Sequence, residues 1–230
     1  SETLLNASKT PQNASSADWP TYRHDAARHG TTAAAVPSRL TEAWRVQLDK
    51  GLTAPAVVGD RVYAADGDGH CVHCLDLATG KRVWRFTAGG RVDSAPTVHR
   101  GTVLFGSADG YVYCLGADDG ELIWRFPAAP CERRIVSFDQ FESAWPVHGT
   151  VLVSGGLAYV AAGRSTYLDG GIRLWALDPA SGAIVHRTVL SGPQPDGNSV
   201  ERDVAFFIRG ANVDVLAAEV WYQNIVSGTY

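Results

Sequence analysis

Residues 54–84 read APAVVGDRVYAADGDGHCVHCLDLATGKRVW, and residues 95–124 read APTVHRGTVLFGSADGYVYCLGADDGELIW. The two segments align along their whole length, with one residue inserted near His70 in the first. Each segment ends in a tryptophan, Trp84 or Trp124. A match of this length within one chain indicates an internal repeat, which has to be settled before any shorter motif is interpreted.

The repeat extends on both sides of these two copies. Trp44, in LTEAWRVQL (40–48), precedes Trp84 by the same spacing that separates Trp84 from Trp124. A third and weaker copy occupies residues 151–186, where His186 takes the place of the tryptophan. The segment 40–48 carries a tryptophan but no three strands before it, so we predict that it is the orphan outer strand of a terminal blade.

Each copy contains four short runs rich in β-forming residues, separated by Gly and Asp turn signals. In the first copy these runs are 54–58, 61–66, 71–76 and 82–87. No helical pattern lies between them, so each copy is predicted to be a four-stranded antiparallel meander. Four-stranded units with a period of about 40 residues predict an all-β fold, a β-propeller, here as an incomplete ring.

The repeat also sets the expected organisation of the chain. We expect a flexible leader at 1–17, a lead-in segment at 18–39 and the propeller at 40–230, with blades at about 52–88, 92–127 and 146–190 and a partial blade at 203–230. The tryptophans Trp44, Trp84 and Trp124 are expected to pack against the neighbouring blade. Because a buried indole removes a large apolar surface from water, Trp84→Ala should cost several kcal/mol.

The repeat segments DGHCVHCLDLATGKRVW and DGYVYCLGADDGELIW fit the pattern DGxxYxLDxxTGxxxW. In this they resemble the repeats of propellers related to the pyrroloquinoline-quinone dehydrogenases. The segment DWPTYRHDAARHG (18–30) is similar to the start of secreted propellers of this type from planctomycete-like bacteria. The resemblance implies a quinoprotein-like propeller, related in fold to the propeller lipoprotein of outer-membrane assembly, and an extracytoplasmic location.

The same resemblance raises the question of a quinone cofactor. The dehydrogenases of this family hold the quinone and a calcium ion inside an eight-bladed ring, often beside a disulfide between adjacent cysteines. This chain has no Cys-Cys pair and only three recognisable repeats, so none of that family's active-site residues can be assigned here. No cofactor and no catalytic residue is therefore expected; pyrroloquinoline quinone with calcium is the alternative.

The stretch GDGHCVHCLDL (67–77) concentrates two histidines and two cysteines, a composition that suggests zinc or a redox pair. Successive side chains of a strand point to opposite faces, so His70 and Cys74 face away from Cys71 and His73. Four ligands divided in this way do not surround one tetrahedral ion, and a free cysteine packs as a small hydrophobe. We therefore predict neither a metal site nor a disulfide framework.

Composition excludes some partners. The chain has 20 Lys and Arg against 24 Asp and Glu, a net charge of −4, and no basic tract, so nucleic acid is not expected. No apolar run reaches the length of a transmembrane helix. A signal-peptide pattern is missing from this chain as well, although the resemblance favours an extracytoplasmic compartment.

The interval from Trp124 to His186 is longer, by more than half, than the interval from Trp84 to Trp124. The surplus lies mainly in 128–149, with a smaller part in 163–171, and long insertions on a rigid scaffold often carry recognition. The candidate binding residues in these two loops are Arg133, Arg134, Asp139, Glu142, Trp145, His148, Arg164 and Asp169.

These loops lead to the functional prediction, a non-catalytic binding or scaffolding propeller. Its partner would be a protein, including a membrane-assembly partner by analogy, or a small acidic or sugar ligand, since guanidinium groups pair well with carboxylates. In the alternative, Asp169 and Glu142 hold the arginines and the loops only cap the blades. A second alternative is a fragment of a quinone- and calcium-dependent dehydrogenase.

Overall fold

The computed structural model describes residues 17–48, 51–137 and 139–192. Most of the expected leader and the whole expected partial blade at 203–230 lie outside these ranges. The described residues form fourteen β-strands and no α-helix, as the repeat pattern predicts for an all-β fold. In the described part of the chain no helix is long and apolar enough to span a bilayer.

Three four-stranded antiparallel sheets form the three blades, and each follows the order of its strands in the chain. Blade 1 contains β1 (Ala56–Val58), β2 (Arg61–Asp66), β3 (Cys71–Asp76) and β4 (Arg82–Thr87). Blade 2 contains β5 (Thr97–His99), β6 (Thr102–Gly106), β7 (Tyr111–Gly116) and β8 (Leu122–Pro127). A separate hairpin follows, formed by β9 (Arg134–Ser137) and β10 (Gln140–Ser143), and blade 3 contains β11 (Leu152–Ser154), β12 (Leu157–Ala162), β13 (Ile172–Leu177) and β14 (Ile184–Leu190).

The register of the outer two strands is the same in every blade. Cys74 pairs with Trp84 and Cys114 with Trp124, and each pair is followed by an irregularity in the register. In blade 3 the matching pair is Ala176 and His186, which confirms that His186 takes the tryptophan's place. A small residue thus faces a large ring at each of these positions.

Two apolar cores fill the space between adjacent blades. The first joins one face of blade 1 to blade 2 and includes Tyr63, Cys74, Trp84, Val103, Phe105 and Leu115. The second joins the opposite face of blade 2 to blade 3 and includes Leu104, Val112, Cys114, Ala158, Val160 and Leu177. Both faces of blade 2 are therefore buried against its neighbours, which is the packing expected within a propeller.

The tryptophans of the repeat lie at the junctions between blades. Trp84 is 8% exposed, and its Nε1 donates to the carbonyl of Ala117 in the following blade at 2.9 Å. The strand predicted at 40–48 is not formed, since these described residues have no assigned strand. Trp44 nonetheless makes the equivalent contact, because its Nε1 donates to the Leu77 carbonyl at 2.8 Å.

The lead-in segment runs along the innermost strands. Trp19 and Val57 exchange two backbone hydrogen bonds of 2.6 and 2.8 Å, which places residue 19 beside β1. The next residue, Pro20, accepts a backbone hydrogen bond from Val98 of β5 at 2.7 Å. The segment therefore ties the inner edges of blades 1 and 2 together.

Candidate functional site

The larger insertion, residues 128–149, folds over the ends of the blades, and we call it the cap. Its backbone is fixed to blade 2 by hydrogen bonds from Ser143 to Ala108 (2.7 Å) and from Val147 to Ser107 (3.0 Å). A third backbone bond, 3.0 Å long, runs from Gly163 of blade 3 to Pro146 of the cap. The cap is therefore anchored on two blades at its base.

The tip of the cap also reaches blade 1. His70 lies in the turn between β2 and β3 with a φ of 56°, and its Nε2 donates to Gln140 Oε1 at 2.6 Å. These two residues are 70 positions apart in the chain. With this bond the cap contacts all three blades.

Asp169, in the smaller insertion, holds the two insertions together. Its Oδ1 lies 2.9 Å from Nη1 of Arg133, and its Oδ2 accepts a hydrogen bond from Arg164. Its backbone carbonyl accepts a 2.9 Å hydrogen bond from Nε1 of Trp145. Four of the eight predicted residues are thus brought together, and two arginines share one carboxylate.

A second polar cluster lies at Asp93, in the link between blades 1 and 2. Asp93 Oδ2 is 2.9 Å from His148 Nδ1, and Asp93 Oδ1 is 2.9 Å from Arg91 Nη2. Burial alone would raise the pKa of the Asp93 carboxyl, but the hydrogen bond and charge of His148, together with Arg91, hold that pKa below its usual value. Asp93 is therefore the ionised centre of this cluster.

Glu142 adjoins this cluster from the cap and is only 1% exposed. Its Oε1 has no hydrogen-bond partner among the described residues. Burial raises the pKa of its carboxyl, and the charge of His148 opposes that rise only in part. A carboxyl group of this kind is better accommodated in its protonated form.

The outer side of the cap hairpin is apolar. Val136 and Phe141 pair across the two strands and are 70% and 68% exposed. Arg134 is exposed beside them and makes no ion pair with another described residue. Asp139 occupies the hairpin turn with a φ of 60°.

The eight predicted residues therefore divide into three groups: the Asp169 group, the buried Glu142 with the partly buried His148, and the exposed residues Arg134 and Asp139. Sequence reasoning missed Arg91 and Asp93 because they lie in a link of ordinary length between two repeats. It also missed the exposed pair Val136 and Phe141, since only the pairing of β9 with β10 shows that the two side chains share a face.

The histidine- and cysteine-rich stretch is part of blade 1. Cys74 lies in the core between blades 1 and 2, whereas His73 and Cys71 lie on the opposite face, as the alternation of a strand requires. His73 Nε2 is 3.9 Å from the buried Asp66 Oδ2, and all four cysteines of the chain are free. In the described ranges, no group of three or more His, Cys, Asp or Glu side chains is placed to hold a metal ion.

A protein-family model described as outer membrane protein assembly factor BamB matches residues 37–202, which include every described strand. The chain belongs to this family. The BamB family match begins before the first blade and continues past β14, so it covers the cap as well as the blades.

Individual relatives carry two kinds of name. Outer membrane protein assembly factor BamB of Xanthomonas campestris pv. campestris is 38% identical over 103 residues, which is 38% of this chain and 25% of that protein. The 1-butanol dehydrogenase (cytochrome c) of Thauera butanivorans is 29% identical over 133 residues, 50% of this chain and 19% of that protein. The chain thus spans about a fifth to a quarter of the length of these curated relatives.

Solved structures show the same fold. The quinohemoprotein alcohol dehydrogenase from Comamonas testosteroni superposes with a TM-score of 0.56 at 19% identity, covering 77% of this chain and 28% of that chain. A europium-containing methanol dehydrogenase superposes with a TM-score of 0.58 at 18% identity, covering 78% of this chain and 33% of that chain. At this level of identity the likeness establishes the propeller fold.

Proposed function

We propose that this protein is a non-catalytic binding propeller in an extracytoplasmic compartment, which recognises a protein partner through the cap and the loop 163–171. The observation that carries the proposal is the exposed pair Val136 and Phe141 on a hairpin with a fixed base. Aromatic residues in the centre of a contact patch contribute a large share of binding energy. The relatives named as assembly factors support a binding role, and a membrane-assembly partner is proposed by that analogy.

The backbone of β9 favours an extended protein segment as the partner. The β9–β10 register, together with the backbone hydrogen bond from the Ala144 N–H to the Arg133 carbonyl, shows which residues of β9 bond to β10. The backbone N–H and C=O groups of residues 134 and 136 point away from β10. In the described part of the chain no further strand pairs with β9. A strand added along this edge would gain main-chain hydrogen bonds, and its side chains would lie beside Val136 and extend the apolar face that Val136 and Phe141 form.

The charges around the hairpin refine the expected partner. Arg133 and Arg164 share the single Asp169 carboxylate, so this group keeps one net positive charge while both guanidinium groups already have a partner within the protein. Arg134 is the exposed arginine of the cap that is not paired with Asp169, and it lies beside the apolar pair. A partner strand with apolar residues and one acidic residue near Arg134 therefore fits better than a small acidic or sugar ligand.

The test is capture of a partner from the native extract by the purified protein, with the melting temperature of each variant measured in parallel. The double variant Val136→Ser/Phe141→Ser should lose capture at an unchanged melting temperature, and Arg134→Ala should weaken it. The control is Ile123→Ser, which removes an exposed apolar side chain from β8 outside the cap. Capture that survives the double variant, or that is lost equally in the control, would contradict the proposal.

The variant Arg164→Ala distinguishes residues that stabilise the cap from residues that bind the partner. Because Arg164 bonds to Asp169, which also holds Arg133, its loss should lower the melting temperature. We expect capture to persist in this variant below its melting temperature, since the outer side of the hairpin is untouched.

A second candidate function, as part of a quinone- and calcium-dependent dehydrogenase, is favoured by the dehydrogenases among the relatives. The described residues fit calcium poorly, because Asp93 is bound by Arg91 and His148 while Glu142 is buried beside it. The experiment is to add pyrroloquinoline quinone and calcium and to measure alcohol- or sugar-dependent dye reduction. Turnover would overturn the binding proposal.

A further inference from the structure

A cavity of about 230 Å³ lies at the foot of the cap, where the chain leaves blade 2. Its walls come from the start of β7, from the end of β8 and from the cap. The apolar part of the lining is formed by Tyr111, Pro127, Ala129, Pro130 and Cys131. Pockets that hold a whole small ligand enclose roughly 300–1,000 Å³, so this cavity has room for a single large side chain.

The cavity continues the outer side of the cap hairpin. Because side chains of a strand alternate, Arg134 lies on the same side of β9 as Val136. For the same reason Ser143 lies on the same side of β10 as Phe141. Arg134 and Ser143 pair with each other across the hairpin, and both line the cavity. The exposed apolar pair and the cavity are therefore parts of one surface.

Blade 2 holds the walls of the cavity in place. The backbone N–H groups of Ala128 and Ala129 donate to the Gly110 carbonyl at 3.0 and 3.1 Å, which fixes the chain that leaves β8 against the turn before β7. A Cβ added to Gly110 would lie 2.9 Å from Ala129 Cβ and 2.8 Å from Ser143 Oγ, so the two sides of the cavity meet in close contact at this glycine. A pocket whose walls are already fixed loses little conformational entropy when it binds.

The charged groups in the lining balance each other. The lining contains two carboxylates, Asp109 and Glu132, and two guanidinium groups, Arg133 and Arg134. Both carboxylates already accept hydrogen bonds within the protein, and Arg133 binds Asp169. An ion of either sign that entered the cavity would give up hydration and would meet like charge as well as opposite charge. A neutral apolar group avoids that cost and removes exposed apolar walls from water.

The inference drawn from this cavity rests on the function proposed for the cap. Outward side chains of a strand added along β9 are two residues apart, so one lies beside Val136 and the next beside Arg134. The following outward side chain lies where residues 131–133 border the cavity. We propose that this third position of the partner segment is a large apolar side chain, leucine or phenylalanine, which enters the cavity. The partner segment then has apolar, acidic and apolar residues at alternate positions.

Cys131 allows the preference of the cavity to be measured, because it lines the cavity and is exposed, whereas the other three cysteines are buried. Disulfides of N-(2-mercaptoethyl)amides exchange with this thiol in a fixed excess of 2-mercaptoethanol, and intact mass spectrometry gives the bound fraction. The amides of isovaleric and phenylacetic acid should bind at least about fivefold more favourably than the amide of acetic acid. The amides of succinic acid and β-alanine, which carry a negative and a positive charge, should bind no better than the acetic amide. Equal binding of all five amides, or tighter binding of a charged one, would overturn the proposal.

Filling the cavity connects it to the partner. Protein that carries the isovaleric amide on Cys131 should lose most of its partner capture from a native extract without reductant, whereas protein that carries the acetic amide should keep it. Equal capture by both would show that the partner does not use the cavity, and would overturn this inference while the proposed function of the cap stands. Absence of capture by the unmodified protein would contradict the proposed function itself, and the inference with it.

Two proline variants test the wall of the cavity without filling it. Pro130 is exposed, so Pro130→Asp should leave the melting temperature unchanged while it weakens capture and lowers the preference for the apolar amides at least about threefold. Pro37→Asp is the matched control, because Pro37 is also exposed but lies in the lead-in segment away from the cavity, and it should behave as wild type. An unchanged preference in Pro130→Asp would overturn the proposal. If the isovaleric amide reduced self-association in light scattering but left capture unchanged, the occupant would be a second copy of this chain, which would also overturn it.

Discussion

At the scale of single residues, one contact recurs at every blade junction. The indole N–H groups of Trp44, Trp84 and Trp124 donate to the carbonyls of Leu77, Ala117 and Pro179 in the following blade. Each indole also lies against a glycine with positive φ in the turn before the outer strand, Gly80, Gly120 or Gly182. Each tryptophan packs on the glycine turn of the next repeat, so this contact recurs once in every repeat. The even spacing of the tryptophans in the sequence follows from it.

This contact can be tested by adding a single methyl group. In Gly120→Ala the new Cβ would lie 2.6 Å from Cδ2 of Trp84, whereas in Gly101→Ala it would meet nothing within 4 Å. Both glycines have similar φ, 72° and 78°, so both variants carry the same backbone strain. Gly120→Ala should therefore lose about 1–3 kcal/mol more free energy of unfolding than Gly101→Ala in urea titrations. Equal losses would mean that the indole moves aside without cost.

The second prediction at this scale concerns the pH dependence of Glu142. Because burial raises its pKa in the folded state, its contribution to stability is present below its ordinary pKa of about 4.5 and is lost as the pH rises through the raised value. Glu142→Gln keeps the shape but cannot ionise, so the variant should gain stability relative to wild type as the pH rises. The measurement is the free energy of unfolding of both proteins across this range. The nearby Asp93, whose pKa is lowered, stays ionised across this pH range, so its own titration does not contribute to the difference.

At the scale of elements, the cap shows that an insertion is stabilised by residues far away in the chain. The extra length of the cap is visible in the sequence as a break in the repeat, but the sequence does not predict that β9 pairs with β10. Neither strand has the turn-rich boundaries that mark the blade strands. The cap is held by contacts such as the hydrogen bond between His148 and Asp93, which are 55 residues apart. Such contacts leave no local pattern in the sequence.

The link between the two insertions can be measured by double-mutant cycles. Arg164 is 19% exposed and Arg133 is 57% exposed, although both bind Asp169. Since solvent screens exposed pairs, we expect a coupling of about 1–3 kcal/mol between Arg164→Ala and Asp169→Gly, and at most about 1 kcal/mol between Arg133→Ala and Asp169→Gly. Glycine is chosen because the φ of residue 169 is 55°. Equal couplings would contradict the expectation that the less exposed Arg164–Asp169 pair is the stronger of the two.

At the scale of the whole molecule, the fold could be predicted from the repeat to the level of strand boundaries. Three of the four runs expected in blade 1 match β2, β3 and β4 to the residue, and the first is two residues shorter. The proposed partner surface follows less directly from the sequence, because the side chains of the cap that face outward are set by the pairing of β9 with β10. The sequence indicates where the two insertions lie, but it does not show that Arg133 and Arg164 bind Asp169 or that Val136 and Phe141 are exposed on one face.

The arc of three blades leads to the last prediction, which concerns association. Tyr63 of blade 1 is 3% exposed because blade 2 covers it, whereas Tyr159, its counterpart on the opposite side of the arc, is only partly buried. Apolar blade faces and outer strands at the ends of an arc favour self-association. Light scattering on the 230-residue chain alone should therefore show a mass that rises with concentration. Tyr159→Lys should reduce this rise, and Val83→Lys, on an exposed position of β4 within the arc, should not. A monodisperse monomer with one cooperative melting transition would show that the chain closes on itself and would contradict the open arc.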